Sequence, residues 1–152
     1  MGYCTVGDVR GMLKDDMLNA IIGNEYIEDA GEREKRMEPI IQQAISDADA
    51  EIDGYLNKRY SVPITPPTKV IVKFSKDIAV YNLVSRLGID ADTREKTFKD
   101  RYDAAVRFLL EVSKGTVEIG AGNMEGTPRQ PTGDYRVRSN QRLFSRDSMK
   151  GW

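Results

Sequence analysis

Apolar residues recur at helical spacing through most of this chain. Val6, Val9, Leu13 and Met17 step by three and four, headed by a capping-box pattern in which Asp8 stands three residues after Thr5. Gly7 and Gly11 weaken this first helix, each by up to about 1 kcal/mol relative to Ala. Residues 23–38 carry no stripe. Gly23-Asn24 reads as a turn, and Glu28 to Glu38 as a solvated charge run, either a loop or an exposed helical turn. Pro39 suits the first turn of a long helix, where its missing N–H costs little. Ile41, Ile45, Ala48, Ile52, Tyr55 and Leu56 then make one apolar face. Gln43, Asp47, Asp49, Glu51 and Asp53 lie opposite, and Lys58 and Arg59 complement the helix dipole at its end.

Ser61 to Pro67 is a loop, because Pro63, Pro66 and Pro67 forbid a helix interior. Pro67 or Thr68 can start the next helix, with Val70, Ile71, Phe74, Ile78, Tyr81 and Leu83/Val84 as its stripe and Gly88 as its C′ residue. Asp92 or Thr93 opens another, lined by Phe98, Tyr102, Ala105, Phe108/Leu109 and Val112 and stopped by Gly115. Each stripe needs the others to exclude water. The expected fold is therefore all-α: a small antiparallel helical bundle, with a short strand at Thr116–Ile119 and an extended carboxy-terminal arm. Residues 1–121 form the bundle, 122–134 a Gly- and Pro-rich linker, and 135–152 the arm.

Composition removes function classes. The chain has 152 residues, which suits one domain. It has no His, which eliminates Ser-His-Asp and Cys-His nucleophilic dyads and almost every zinc site. A single cysteine, Cys4, excludes an internal disulfide and reads as a small buried apolar residue. No apolar run approaches the roughly 20 residues that span a bilayer, so no membrane association is expected. The start has neither a basic n-region nor an apolar h-region, so no signal peptide is expected and synthesis is placed in the cytosol. Met1-Gly2 does not signal myristoylation, since position 6 is Val6.

Charge changes the picture more than composition does. The net charge is −1, which argues against a general polyanion binder. That figure hides a division. Residues 1–125 hold 17 basic and 22 acidic side chains, a net of −5, while residues 126–152 hold 6 and 2, a net of +4. An acidic bundle carries a basic arm.

No constellation points to catalysis or to a cofactor. Asp47, Asp49, Glu51 and Asp53 alternate around a helix and do not converge, although Asp49 and Asp53 share a face. An EF-hand counted from Asp47 fails, because its sixth position is Ile52 and its twelfth Lys58. The set reads as a solvated helix face. No phosphate-binding glycine motif is present. Ser75-Lys76 and Ser113-Lys114 are adjacent pairs that diverge on a helix. Gly54, inside a helical pattern, suggests a close helix crossing.

The arm is the sharpest feature. Leu143, Phe144, Met149 and Trp152 fall within ten residues and are interleaved with Arg142, Arg146 and Asp147. Low hydrophobicity is what keeps a tail free, so this density of anchors points to docking on a partner, with docking on its own bundle and a disordered, solvating tail as the alternatives.

The same residues carry a family resemblance. Asp47 through Leu56 (DADAEIDGYL), followed by Arg59-Tyr60 and Pro63, resembles the central signature of a Mu-like bacteriophage structural family. Asp77-Ile78-Ala79 with Tyr81 and Leu83, then Arg101-Tyr102-Asp103-Ala104 and the Gly115 stop, resemble its next two helices. Arg142 through Trp152 (RLFSRDSMKGW) is similar to its carboxy terminus, and the charged stretch 23–38 departs from it. The resemblance implies a head–tail connector, or neck adaptor: a helical subunit assembling as a ring, usually of twelve copies, beneath the portal of a DNA-filled head. It implies a virion location at the neck, with the portal and other neck or tail-completion proteins as partners and DNA passing through without specific binding. It assigns portal docking to Arg142, Leu143, Phe144, Arg146, Asp147, Met149 and Trp152. Two other classes compete: a nucleic-acid-binding module using the basic arm, and an enzyme using carboxylates of the 41–56 helix.

Overall fold

In the computed structural model the described residues are 2–23, 27, 29–88 and 95–120. Their regular structure is entirely helical: α1 (Val6–Arg10), α2 (Asp15–Ile22), α3 (Ala30–Leu56), α4 (Lys69–Ser85) and α5 (Glu95–Lys114). The last three build the bundle. Arg101 meets Asp77, Tyr102 stacks on Tyr81 and Phe108 packs on Phe74, so α5 climbs as α4 descends. Tyr102 meets Glu51 and Gly115 lies against Arg59, so α5 runs parallel to α3. α4 is the central element. Ile71, Ile78, Ala79, Val80, Leu83 and Val84 are all fully buried, and the helix packs on α1, α2, α3 and α5.

The single amino-terminal helix expected from Val6 to Met17 divides in two. The Thr5 capping box forms as expected, with the Asp8 N–H on Thr5 Oγ1 at 3.2 Å and the Thr5 N–H on Asp8 Oδ2 at 3.1 Å. Gly11 then ends α1 after five residues. Asp15 and Asp16 open α2, where their charge favours a new helix N-terminus. Leu18 becomes the buried residue of α2.

The long helix begins nine residues before Pro39. Asp29 is its N-cap, accepting from the Gly31 N–H at 2.9 Å, and Pro39 sits inside. The turn before Pro39 has its own reasons to be helical. Met37 is buried, Glu34 pairs with Arg10, and Arg33 lies 3.6 Å from Asp15. The charge run is thus partly spent on tying α1 and α2 to α3. One apolar anchor and two ion pairs offset the hydrogen bond lost at the proline.

The expected strand at Thr116–Ile119 is absent. Its alternation is real, since Val117 and Ile119 both face the core, but the backbone is used otherwise. Thr116 N–H returns to Glu111 O and Gly115 N–H to Val112 O, both at 3.0 Å, a Schellman stop for α5. Ile119 N–H reaches the Tyr60 phenol at 3.4 Å. Gly115 takes φ +86°, and a Cβ there would overlap the Arg59 guanidinium. The helix starts expected at Asp92 or Thr93, the linker and the arm lie outside the described residues.

The close approach expected at Gly54 is also absent. A Cβ there would meet nothing within 4 Å, because the residue faces solvent directly opposite the core stripe. Gly54→Ala is therefore expected to stabilise the fold by about 1 kcal/mol, the helix-propensity difference, and Gly54→Leu to leave packing intact. Gly115→Ala is expected to destabilise by roughly 1–2 kcal/mol through its left-handed backbone. Thermal melts of the three variants check all of this, and a lowered melting temperature for Gly54→Ala would contradict it.

Candidate partner-docking site

The arm residues assigned to docking, Arg142 through Trp152, lie outside the described residues. The described residues form a body whose last described residue is Gly120. Two tyrosines organise that end. Tyr60, 1% exposed, follows α3 and accepts the Ile119 N–H, holding the segment after α5 against the bundle. Tyr3 ties the amino terminus to the same end. Its N–H donates to Asp49 Oδ2 at 2.9 Å, and its phenol donates to Asp53 and accepts the Ile64 N–H at 2.9 Å. Ile64 lies in the proline loop, so one side chain joins the amino terminus, α3 and the 61–68 loop.

This revises the reading of the carboxylate set. Asp49 and Asp53 do share a face, but it is a half-buried seam rather than a solvated one. Asp49 also accepts from the Ser75 hydroxyl at 2.7 Å, and Ser75 is fully buried on α4. Burial holds the Asp49 carboxyl above the usual carboxylate range, against the opposing pull of Ser75 and the Tyr3 N–H. Glu51 accepts from the Tyr102 phenol at 3.0 Å, and Asp47 from Gln43 at 2.8 Å. The four carboxylates accept five hydrogen bonds, two of them at Asp49. Cys4 is buried, as the sequence suggested, 3.2 Å from Ser75 Oγ, and burial pushes its thiol up. Among the described residues no cluster of three or more His, Cys, Asp or Glu is arranged to hold a metal ion.

Asp77 is the other buried charge, 2% exposed. Lys73 reaches it from the preceding turn at 2.8 Å and Arg101 from α5 at 2.6 Å. The (i, i+4) spacing of Lys73 and Asp77 could have flagged it in the sequence, but nothing there names Arg101 as the second partner. Tyr3 and Ser75 give no such signal, since each lies outside the stripes and works over a long sequence separation.

Open clefts interrupt the surface formed by the described residues. One of about 170 Å³ lies between Val6, Arg10 and Met37, and one of about 400 Å³ between Asp47, Glu51 and Arg86. A third, about 490 Å³, is walled by the 61–68 loop and Gly120. Among the described residues no helix is long and apolar enough to cross a membrane.

Comparison with known proteins gives the family. The bacteriophage Mu Gp36 model matches residues 3–138, so the chain belongs to that family of phage structural proteins. The match spans the bundle and stops four residues before Arg142. A relative, the Mu-like prophage FluMu protein gp36 of Haemophilus influenzae, is 27% identical over 112 residues, 74% of each chain.

Tyr3 and Tyr102 give a test of the seam. Burial and the bond to Asp53 push the Tyr3 phenol up, and burial with the bond to Glu51 pushes Tyr102 up to about 12. An unfolded tyrosine ionises near 10.0, so these groups stabilise the fold fully below that pH and lose their contribution as pH rises toward 12. Melting temperature is expected to fall steeply above pH 10, with Tyr3 and Tyr102 titrating late in the folded protein by ultraviolet absorption. Tyr3→Phe is expected to cost about 1–3 kcal/mol, because it leaves the Ile64 N–H and the Asp53 carboxylate without their partner.

Proposed function

We propose that this chain is a head–tail connector, a neck adaptor that forms a ring beneath the portal of a phage head and extends the DNA channel toward the tail. The family match over residues 3–138 carries the reading. Two features support it. The described body commits Tyr3, Asp49, Asp53, Ser75 and Asp77 to bonds that hold its helices together, as a wall subunit needs. The residues beyond it combine a net charge of +4 over 126–152 with four large apolar side chains near the end. Many such arms on one ring give avidity that a single arm lacks.

The docking residues in this reading remain Arg142, Leu143, Phe144, Arg146, Asp147, Met149 and Trp152, facing the portal. DNA passes the ring without specific binding, since residues 1–125 carry a net of −5. Deleting residues 136–152 is expected to leave helix content and melting temperature nearly unchanged and to abolish binding to portal rings. Undiminished binding would remove the arm from the interface. Native mass measurement of the reconstituted complex is expected to find a full ring of copies, and one or two per portal would end the connector reading. A DNA-binding module predicts retention on duplex DNA at about 50 mM salt that falls steeply as salt rises, and none is expected.

A further inference from the structure

The end of the body that holds Gly120 has its own surface chemistry. Residues 60–68 (YSVPITPPT) hold no charged side chain, in a chain that is 31% charged. They are nonetheless largely outside the core: Ser61, Pro63, Thr65, Pro66 and Pro67 are exposed. Together with Gly120 this loop walls the 490 Å³ cleft, the largest of the three described above. At its edge Thr68 Oγ1 is buried without a hydrogen-bond partner among the described residues.

An exposed, uncharged patch on a charged surface has the composition of an interface centre, where charge is depleted. This loop is also stiff. Its prolines restrict the backbone, Ile64 is buried, and the Ile64 N–H is held by Tyr3. Little conformational entropy remains to be lost on binding.

Position selects the occupant. Thirty-two residues follow Gly120, and they start from the cleft wall itself. A protein gripped by the arm is tethered at this point, which raises its effective concentration over the cleft. We infer that the 61–68 loop and Gly120 form a second docking surface for the protein the arm grips, receiving an uncharged, apolar segment of it. This rests on the arm reading above and turns a one-point attachment into a two-point one.

The test uses the full chain with portal rings of the same phage. Ser61→Arg and Thr65→Arg place a charge on the rim at exposed positions, and neither is expected to move the melting temperature. Each is expected to weaken portal binding at least tenfold with the arm intact. Wild-type affinity in both variants, when deletion of 136–152 abolishes binding, overturns the second surface and leaves the arm reading standing. Undiminished binding after the deletion overturns the arm reading instead. Loss of self-association with unchanged portal affinity would assign the loop to a second copy of this chain and overturn the choice of occupant. Should either variant melt early, a photo-crosslinking residue at Ser61 replaces it: capture of the portal subunit supports the inference, and no capture overturns it.

Discussion

A helix buried on nearly every side can carry polar groups only where a neighbour supplies the partner. α4 is that helix, and its two buried polar residues set its surroundings. Ser75 needs an acceptor and finds Asp49 of α3; Asp77 needs cations and finds Lys73 at its own surface and Arg101 on α5. The two residues lie two apart within one turn, roughly opposite each other around the helix, and so pull different helices. They therefore register α3 and α5 against α4, where apolar packing alone would tolerate a slide. Removing one partner of either bond would leave a buried charge or hydroxyl unmatched, a larger penalty than the bond's own net contribution.

The same logic extends to the amino terminus. Asp49 has a second oxygen, and the Tyr3 N–H takes it. Tyr3 then carries the connection to Asp53 and to the Ile64 N–H. One seam of hydrogen bonds thus runs from α4 through α3 to the residues before α1 and out to the proline loop. Phe74 against Phe108, with centroids 5.0 Å apart, closes the apolar side of the α4–α5 contact.

The all-α class and the three main stripes were legible because a period of three and four survives whatever packs against it. Ile41 to Leu56, the α4 stripe and the α5 stripe are all where periodicity placed them. Boundaries were less legible where tertiary partners decide them. Pro39 suggested a start only because the sequence does not disclose that Met37 is buried and that Arg10 and Arg33 find Glu34 and Asp15. Thr116–Ile119 alternated as a strand does, yet its donors were already claimed by α5 and Tyr60. Asp49 looked solvated because a helical wheel shows a residue's face and not what crosses it. The segment 142–152 is read only from its chemistry, the alternation of Arg with large apolar side chains, and it lies outside the described residues.

The bundle has two unlike ends, and this follows from helix direction. α5 runs parallel to α3 and α4 opposes both, so the α3 C-terminus, the α4 N-terminus, the proline loop and Gly120 share one end, with Tyr3 among them. The other end carries α2 and the first turns of α3, held by Arg10–Glu34 and Arg33–Asp15. Exposed ion pairs of this kind contribute little and weaken with salt, about 0–1 kcal/mol each, whereas buried bonds at Tyr3 and Tyr60 do not feel screening to the same degree. The firmer end is thus the one that holds Gly120, the last described residue. There the Tyr60 bond, the buried Ile119 and the Tyr3 seam are shielded from the water that can replace the ion pairs at the other end.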